Sequence, residues 1–310
     1  MSQITATVIE DSCQSIDKNY LDGGKVETKY VNRLTTFLVS YPRFVHAELM
    51  THRVFSRNAS SSRAIPVATM IERATKQTAY PVYWGKNQKG MQADEELSPK
   101  DIERAKGVWL AAAETAARHA QEMIDIGVHK QIANRLIENF QNIEVVVTST
   151  MWANWYALRN HKDAQPEIQA VARAMLKAHR ASVPKLLGPG EWHLPFVGEA
   201  ERRTLAPDVA CKVSAARCAR TSYLNHDKKE PKLDEDAGLF GKLMGGDVVH
   251  ASPTEHQARM IDESKDRYCD GGPGYSSVVR TDLGGNLGKD WVQFRKTIPN
   301  EVVREYDEFE

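Results

Sequence analysis

Short apolar runs and helical stripes follow one another along the chain. Residues 35–45, TTFLVSYPRFV, are β-branched and aromatic, which predicts a strand ended near Pro42. The next residues begin as a helix, but 58–62 is a polar run whose Asn and Ser side chains compete for backbone groups. Pro66 breaks the segment, so a helix feeding a polar loop is expected. Residues 76–97 are polar with little periodicity and read as a surface excursion. Ser98-Pro99 is a helix start, a capping Ser before a Pro at the first helical position. Ile102, Ala105, Val108, Trp109, Ala112, Ala116 and Met123 make one stripe on a helix to about Asp125, with Gly127 as its C-cap.

A second helix is expected over 129–139 and a short strand or buried turn over 144–147. Thr148 or Ser149 then caps a helix through about Arg159, and Asp163 with Pro166 starts another that Pro184 stops. Residues 186–197 are a Gly/Pro-rich connection. Beyond it come a helix and strand over 208–224, an exposed mixed-charge loop over 226–236 and a short helix over 236–244. A segment entering a strand over 252–261, a Gly-rich polar stretch over 264–290 and a last strand or helix start over 291–298 complete the chain. Strands and helices mix without strict βαβ alternation and without a tandem repeat, so the expected class is α+β, as a single domain over 1–310.

Composition narrows the function. Lys plus Arg is 41 and Asp plus Glu is 41, so no basic excess marks a general nucleic-acid binder. No apolar run approaches membrane-spanning length and the first residues lack a signal-peptide pattern, which points to the cytoplasm. Cys13, Cys211, Cys218 and Cys269 form no CxxC; isolated reduced thiols outweigh a metal site built from Cys211, Cys218 and His226. Phosphate-loop, dinucleotide-fingerprint, zinc-protease and nucleophile-elbow motifs are absent, and GGPGYSS at 271–277 reads as a flexible loop.

The densest polar cluster is THRVFSRNASSSR at 51–63. Its Arg forks, Ser hydroxyls and loop amides are what an anion site needs, with nothing negative among them. A solvated polar loop is the equal alternative for the cluster alone. The cluster resembles a motif of the flavin-dependent thymidylate synthases, an Arg-His-Arg, a gap, a Ser, then Asn-Glu-x-Ser-x-Arg. His52, Arg53, Ser56, Asn58, Ser61 and Arg63 fall at those positions, while Thr51 and Ala59 replace an Arg and a Glu, and Glu48 stands where a Gln is usual.

A second stretch, TSTMWANWYALRNHKDAQPEIQ at 148–169, matches the family's Asn, Arg and Ala-Gln-x-Glu-Ile at Asn154, Arg159, Ala164, Gln165, Glu167 and Ile168. A third, ARTSY at 219–223 and SPTEH at 252–256, precedes the His-Arg motif in the family and follows it here. The chain therefore resembles a circularly permuted, phage-type member, with the motif and helical part at 31–200 and the permuted part at 201–310.

The resemblance implies an antiparallel or mixed sheet flanked by long helices, and FAD-dependent, folate-dependent one-carbon transfer to C5 of a pyrimidine deoxynucleotide. Reductive methylation of dUMP is the leading expectation; dCMP as substrate or a hydroxymethyl product is the alternative. A scaffold that has lost the chemistry is a third reading, which the neutral charge weakens. NADPH and methylenetetrahydrofolate would be co-substrates. It assigns the flavin to His52, Arg53, Ser56, Asn58, Asn154, Glu255 and His256. Substrate binding falls to Glu48, Ser60, Ser61, Ser62, Arg63, Arg135, Arg159, Gln293 and Arg295, with Arg159 and Ser61 catalytic. The Arg135 assignment competes with Asn134 in register. Partners would be the nucleotide, the folate and further copies in a homotetramer, in the host cytoplasm if phage-encoded.

Overall fold

The computed structural model describes residues 4–20, 26–188, 190–221, 230, 232–246, 249–262, 266–268, 278–279 and 281–302. The end of ARTSY, residues 226–229 (His226 among them) and 231 of the expected loop, Cys269 and the 271–277 loop lie outside the described residues, while Leu233–Asp236 of that loop begins a helix and Asp236 is buried.

The described chain is α+β, as its residue pattern implies. It opens with β1 (Thr5–Cys13), β2 (Ser15–Tyr20), β3 (Val26–Val31) and β4 (Leu34–Pro42), then α1 (His46–Met50) and β5 (Ser56–Ala59). Helices α2 (Val67–Lys76), α3 (Pro99–Asp125) and α4 (Lys130–Ala133) lead to β6 (Asn142–Ser149), α5 (Ala153–Arg159) and α6 (Pro166–Ala181). The remainder is β7 (Lys185–Leu186), β8 (Trp192–His193), α7 (Glu199–Thr204), α8 (Pro207–Arg220), α9 (Leu233–Met244), β9 (Ala258–Met260), β10 (Arg267–Tyr268), β11 (Val278–Val279) and β12 (Trp291–Gln293).

The central sheet has the order β5-β6-β4-β1-β7, antiparallel except for the parallel β1–β7 pair, so it is mixed. A smaller sheet, β12-β9-β8, is antiparallel. Side chains alternate across a strand, and β4 uses both of its faces. Phe37, Val39 and Tyr41 join Val145, Val147, Trp155, Ile168 and Met175 in the main core under α5 and α6. Each such side chain taken out of water contributes about 1.5–3 kcal/mol. Leu34, on the other face, packs with Ala258, Leu287 and Trp291 of the smaller sheet region. Thr36 and Thr148 lie on that second face too, fully buried and directly opposite one another.

Several expectations change. Residues 56–59, expected to run from the end of a helix into the polar loop at 58–62, form β5, because pairing with β6 satisfies the backbone groups that Ser and Asn would otherwise contest. The strand at 144–147 is twice as long as expected, eight residues, and includes Thr148 and Ser149. Those residues therefore do not cap α5, whose N-cap is Trp152. The segment after His129 is helical only to Ala133 and continues as a 3-10 helix over Asn134–Phe140. Helix α3 begins at Pro99 with Ser98 accepting from the Asp101 amide, as expected. Its C-terminus is a Schellman closure, with Val128 N bonded to Met123 O and Gly127 N to Ile124 O, and Gly127 at φ +90. Its buried stripe runs through Ala113, Ala117 and Ala120, however, and Val108 is 73% exposed. A helix of 27 residues drifts relative to any fixed apolar spacing, so the stripe at Val108 and Ala112 is one position off.

The C-terminal helices are joined by buried charge. Arg217 is held bidentately by Glu201 and bonds Asp236 at 3.0 Å, and Asp236 also pairs with Arg220. Arg217 and Asp236 are fully buried, so removing one partner would strand the other.

Two outcomes test this packing. Ile168→Ala should destabilise by about 2–5 kcal/mol and Val108→Ala by no more than about 0.5 kcal/mol in urea unfolding. His179 sits between the hydroxyls of Thr35 and Tyr156, and burial, then Arg33, lowers its pKa from 6.5 to about 4. The unfolded chain takes up that proton first, so stability is complete above pH 6.5 and falls as pH drops toward about 4. His179→Gln should flatten the stability profile across that window; an unchanged slope would reject the assignment.

Candidate active site

The last residue of α5, Arg159, reaches across to the turn that ends α1. Its Nε donates to His52 Nε2 at 3.0 Å, one terminal nitrogen to Glu48 Oε2 at 3.2 Å and the other to Thr51 Oγ1 at 3.1 Å. Two sequence motifs more than a hundred residues apart thus meet at one guanidinium. Arg159 is a donor only, so His52 Nε2 must be the acceptor and its proton lies on Nδ1. Burial lowers the His52 pKa, and Arg159 and Arg57 lower it further. The imidazole is fixed edge-on to Trp155 at 4.7 Å and stacked on Phe55 at 5.6 Å. Glu48 is pushed up by burial, against the pull of Arg159. Three bonds leave two N–H donors of Arg159 uncommitted, on a side chain 23% exposed.

A second group gathers around β5. Asn286 Nδ2 donates to Ser56 Oγ at 3.0 Å and Gln293 Nε2 to Asn286 Oδ1 at 2.9 Å and to Glu255 O at 2.9 Å. Arg295 pairs with Glu255 and with Glu301. His256, fully buried, touches Asn58 at 3.0 Å and Thr148 Oγ1 at 2.7 Å. SPTEH and the segment starting at Trp291 therefore come to the His-Arg segment in space, β12 pairing with β9 so that Gln293 faces Ala258. Gln293 and Arg295 bond this second group and not Arg159.

The third group is the Ser-Arg loop. Ser62 donates to Glu138, which also pairs with Arg43 and Arg135, both at 3.2 Å. The expectation of nothing negative at this cluster is thus corrected: a carboxylate from the 3-10 helix stands beneath it. Asn134 points inward, donating to Ser62 O at 2.7 Å and Ile65 O at 3.0 Å, so of the two candidates in register Arg135 is the exposed cation. Ser60 closes onto Glu144 through its amide. Arg53, Ser61, Arg63 and Asn154 are exposed and make no side-chain bond among the described residues. Arg57 is the exception among the cluster's arginines: it holds the carbonyls of Met50 and His52 and shapes the turn.

Asn286, Thr36, Thr148 and His193 were not singled out from sequence. Asn286 had one available signal, the glycines before it. A Cβ on Gly284 would stand 2.9 Å from Trp291 O, and one on Gly285, at φ +54, 2.6 Å from Gln293 Oε1. Two clefts, about 690 Å³ between Tyr80–Trp84 and α3 and about 540 Å³ between α5 and 287–291, contain none of the expected site residues. Among the described residues no His/Cys/Asp/Glu group could hold a metal, and no helix is long and apolar enough to cross a membrane.

An α+β scaffold thus carries an Arg–His–Glu cluster and a Ser/Arg loop, both with exposed donors that suit an anion. Residues 33–185 match the thymidylate synthase complementing protein family, that of the flavin-dependent thymidylate synthases. Curated proteins yield no match. Among solved structures, a UMP/dUMP methylase from Streptomyces cacaoi bound with 5-Br dUMP is 25% identical over 47% of this chain and 66% of that one, TM-score 0.40. The same methylase bound with 5-Br UMP is 21% identical over 58% and 89%, TM-score 0.43. Thymidylate synthase X from Helicobacter pylori with FAD and dUMP is 16% identical over 47% and 67%, TM-score 0.32. The chain thus spans 66% of the first methylase structure.

Arg159→Ala removes a cation that lowers the His52 pKa, so His52 should titrate at higher pH in the variant. Proton NMR of the imidazole checks this, and a downward shift would overturn the contact.

Proposed function

We propose that the protein is an FAD-dependent enzyme that transfers a folate-derived carbon to C5 of a pyrimidine deoxynucleotide, most simply methylating dUMP. The observation that carries it is Arg159, held by Glu48, Thr51 and His52 with two N–H donors to spare. In this reading those donors hold the pyrimidine oxygens on which negative charge develops, and because the guanidinium is already fixed it needs no reorganisation. Bound reduced flavin would supply the hydride, NADPH would reduce it and methylenetetrahydrofolate would give the carbon.

The donor set suits both anionic ligands. Arg53 and Arg63 are exposed and unpaired among the described residues, which fits phosphate groups, and Ser56, Asn58 and the 255–256 turn offer polar contacts for the flavin ring. Ser60, Ser61 and Ser62 lie beside Arg63 in the same loop. The described cysteines are buried, and burial pushes the thiols of Cys211 and Cys218 up, so none of them offers a thiolate nucleophile. Exposed groups such as Asn154 and Arg53, without a side-chain bond among the described residues, are consistent with sites shared between copies in a homotetramer. In this reading the enzyme works in the cytoplasm, and no helix among the described residues is long and apolar enough to cross a membrane.

One observation favours dCMP as an alternative substrate. Glu48 uses only Oε2 on Arg159, leaving Oε1 to accept from a cytosine amino group, while Arg159 meets the ring carbonyl.

Release of tritium from C5-labelled dUMP and dCMP, assayed side by side with FAD, NADPH and methylenetetrahydrofolate, separates the two, and product mass separates methyl from hydroxymethyl. Arg159→Ala should lower turnover at least about ten-fold while flavin stays bound. A purified protein that shows no flavin absorbance and takes up no added FAD would defeat both substrate readings.

A further inference from the structure

A line of buried polar groups crosses the second face of the central sheet. Ser12 Oγ is 2.9 Å from His193 Nδ1, His193 Nε2 is 2.8 Å from Thr36 Oγ1, and Thr36 Oγ1 is 2.6 Å from Thr148 Oγ1. Thr148 Oγ1 is 2.7 Å from His256 Nδ1, and His256 Nε2 is 3.0 Å from the Asn58 side chain. Ser12, Thr36, Thr148, His193 and His256 are all fully buried. The line joins β1, β4 and β6 of the large sheet to β8 and to the turn before β9, and it ends on β5.

Each hydroxyl has one proton, and each neutral imidazole has one donor and one acceptor nitrogen. The bonds must therefore all point the same way, and two polarities satisfy every group. Asn58 breaks the tie. Assigned from its hydrogen-bond surroundings, its amide nitrogen lies 3.1 Å from Ser252 O, 3.2 Å from Arg57 O and 3.0 Å from His256 Nε2, because the opposite orientation would set Oδ1 against the two carbonyl oxygens. An amide nitrogen cannot accept, so His256 Nε2 is the acceptor and Nδ1 carries the proton. The order then follows: His256 donates to Thr148, Thr148 to Thr36, Thr36 to His193 and His193 to Ser12.

We propose that this chain is a positioning relay: His256 Nε2, kept an acceptor by the hydroxyls behind it, joins the carbonyls of Ser252 and Arg57 in holding the Asn58 amide protons turned inward, so that β5 offers a ligand the carbonyl oxygen. An oxygen held this way accepts from a ligand N–H, the ring imide of a flavin or a uracil or the amino group of a cytosine. Asn58 is thereby a ligand-orienting residue and Thr148 and His256 are positioning residues. The proposal deepens the functional reading above and rests on it for the identity of the ligand, but not for the polarity of the chain.

Nitrogen-15 NMR of histidine-labelled protein without ligand reads the polarity directly. The expected result is a protonated Nδ1 and an unprotonated Nε2 on both His256 and His193, in the wild type and in Thr148→Ser, which keeps the hydroxyl. Thr148→Val removes the hydroxyl at nearly constant shape, so His256 should lose its fixed tautomer. Affinity for whichever ligand meets Asn58, FAD or dUMP titrated separately, should then fall about ten-fold or more, with Thr148→Ser restoring it. A protonated Nε2 on wild-type His256 overturns the proposal, and so do unchanged affinities for both ligands in Thr148→Val. The wild-type tautomer decides even where the Val variant does not fold. Absence of FAD and dUMP binding by the wild type would count against the functional reading and leave the tautomer measurement standing.

Discussion

The register of β6 against its two neighbours is the constraint on which the site depends. Thr148 stands opposite Thr36 on one side and Ser56 on the other. Its single hydroxyl links the large sheet to His256 and hence to the C-terminal third of the chain. A slip of one residue would turn Thr148 toward the helix-covered core and bring Val147 into the polar seam. Both faces would fail together, since Val147 belongs to the apolar cluster under α5 and α6. The apolar face therefore enforces the polar one: burial of Phe37, Val39, Val145 and Val147 leaves Thr36 and Thr148 a single place to go.

That division explains why the arginines of one short segment do different things. Arg57, on β5, lies against the turn at 50–52 and is spent on backbone carbonyls. Arg53 and Arg63 flank β5 and face solvent. Arg159 arrives from a different helix and is only partly exposed, and its carboxylate partner Glu48 resists ionisation through burial while Arg159 favours it. By the family pattern the sequence resembles, a Gln at 48 and an Arg at 51 would leave this cluster carrying two positive charges. Glu48 and Thr51 bring it to neutrality when Glu48 is ionised. Thr51 replaces a lost donor by an acceptor for Arg159, so the two departures act on the same guanidinium.

Much of the scaffold was legible locally. The Ser98-Pro99 start, the Gly127 stop, β4 and the Pro166 helix each rest on residues within a turn of the feature they mark. The failures share a cause. Residues 56–59 look like loop because nothing nearby shows that β6 will pair with them, and the α3 stripe shifted because several alanines fit two adjacent faces. In the site, the motif residues Glu48, His52 and Arg159 were found and do converge, as do Asn58 and His256. Gln165 and Glu167, matched without a role, are structural: Gln165 caps α6 and Glu167 accepts from the Val82 amide, fastening the 76–97 excursion. His193 and Asn286 escaped notice because their partners are more than 150 and 200 residues away.

Burial is what makes such distant residues act on one another. In water, a hydroxyl turned the wrong way would find a solvent partner, and orientation would not propagate. Inside the seam, a donor facing a donor costs about 1–3 kcal/mol for each group left unsatisfied. Reversing one link therefore requires reversing all of them, from Ser12 to Asn58. Two polarities would be nearly equal if the chain ended on another hydroxyl, which can turn freely. It ends instead on an amide whose nitrogen is claimed by the carbonyls of Ser252 and Arg57, groups that can only accept. Backbone geometry at one end of the seam thus sets the tautomer of an imidazole on the far side of the sheet, and no proton need move for it to do so.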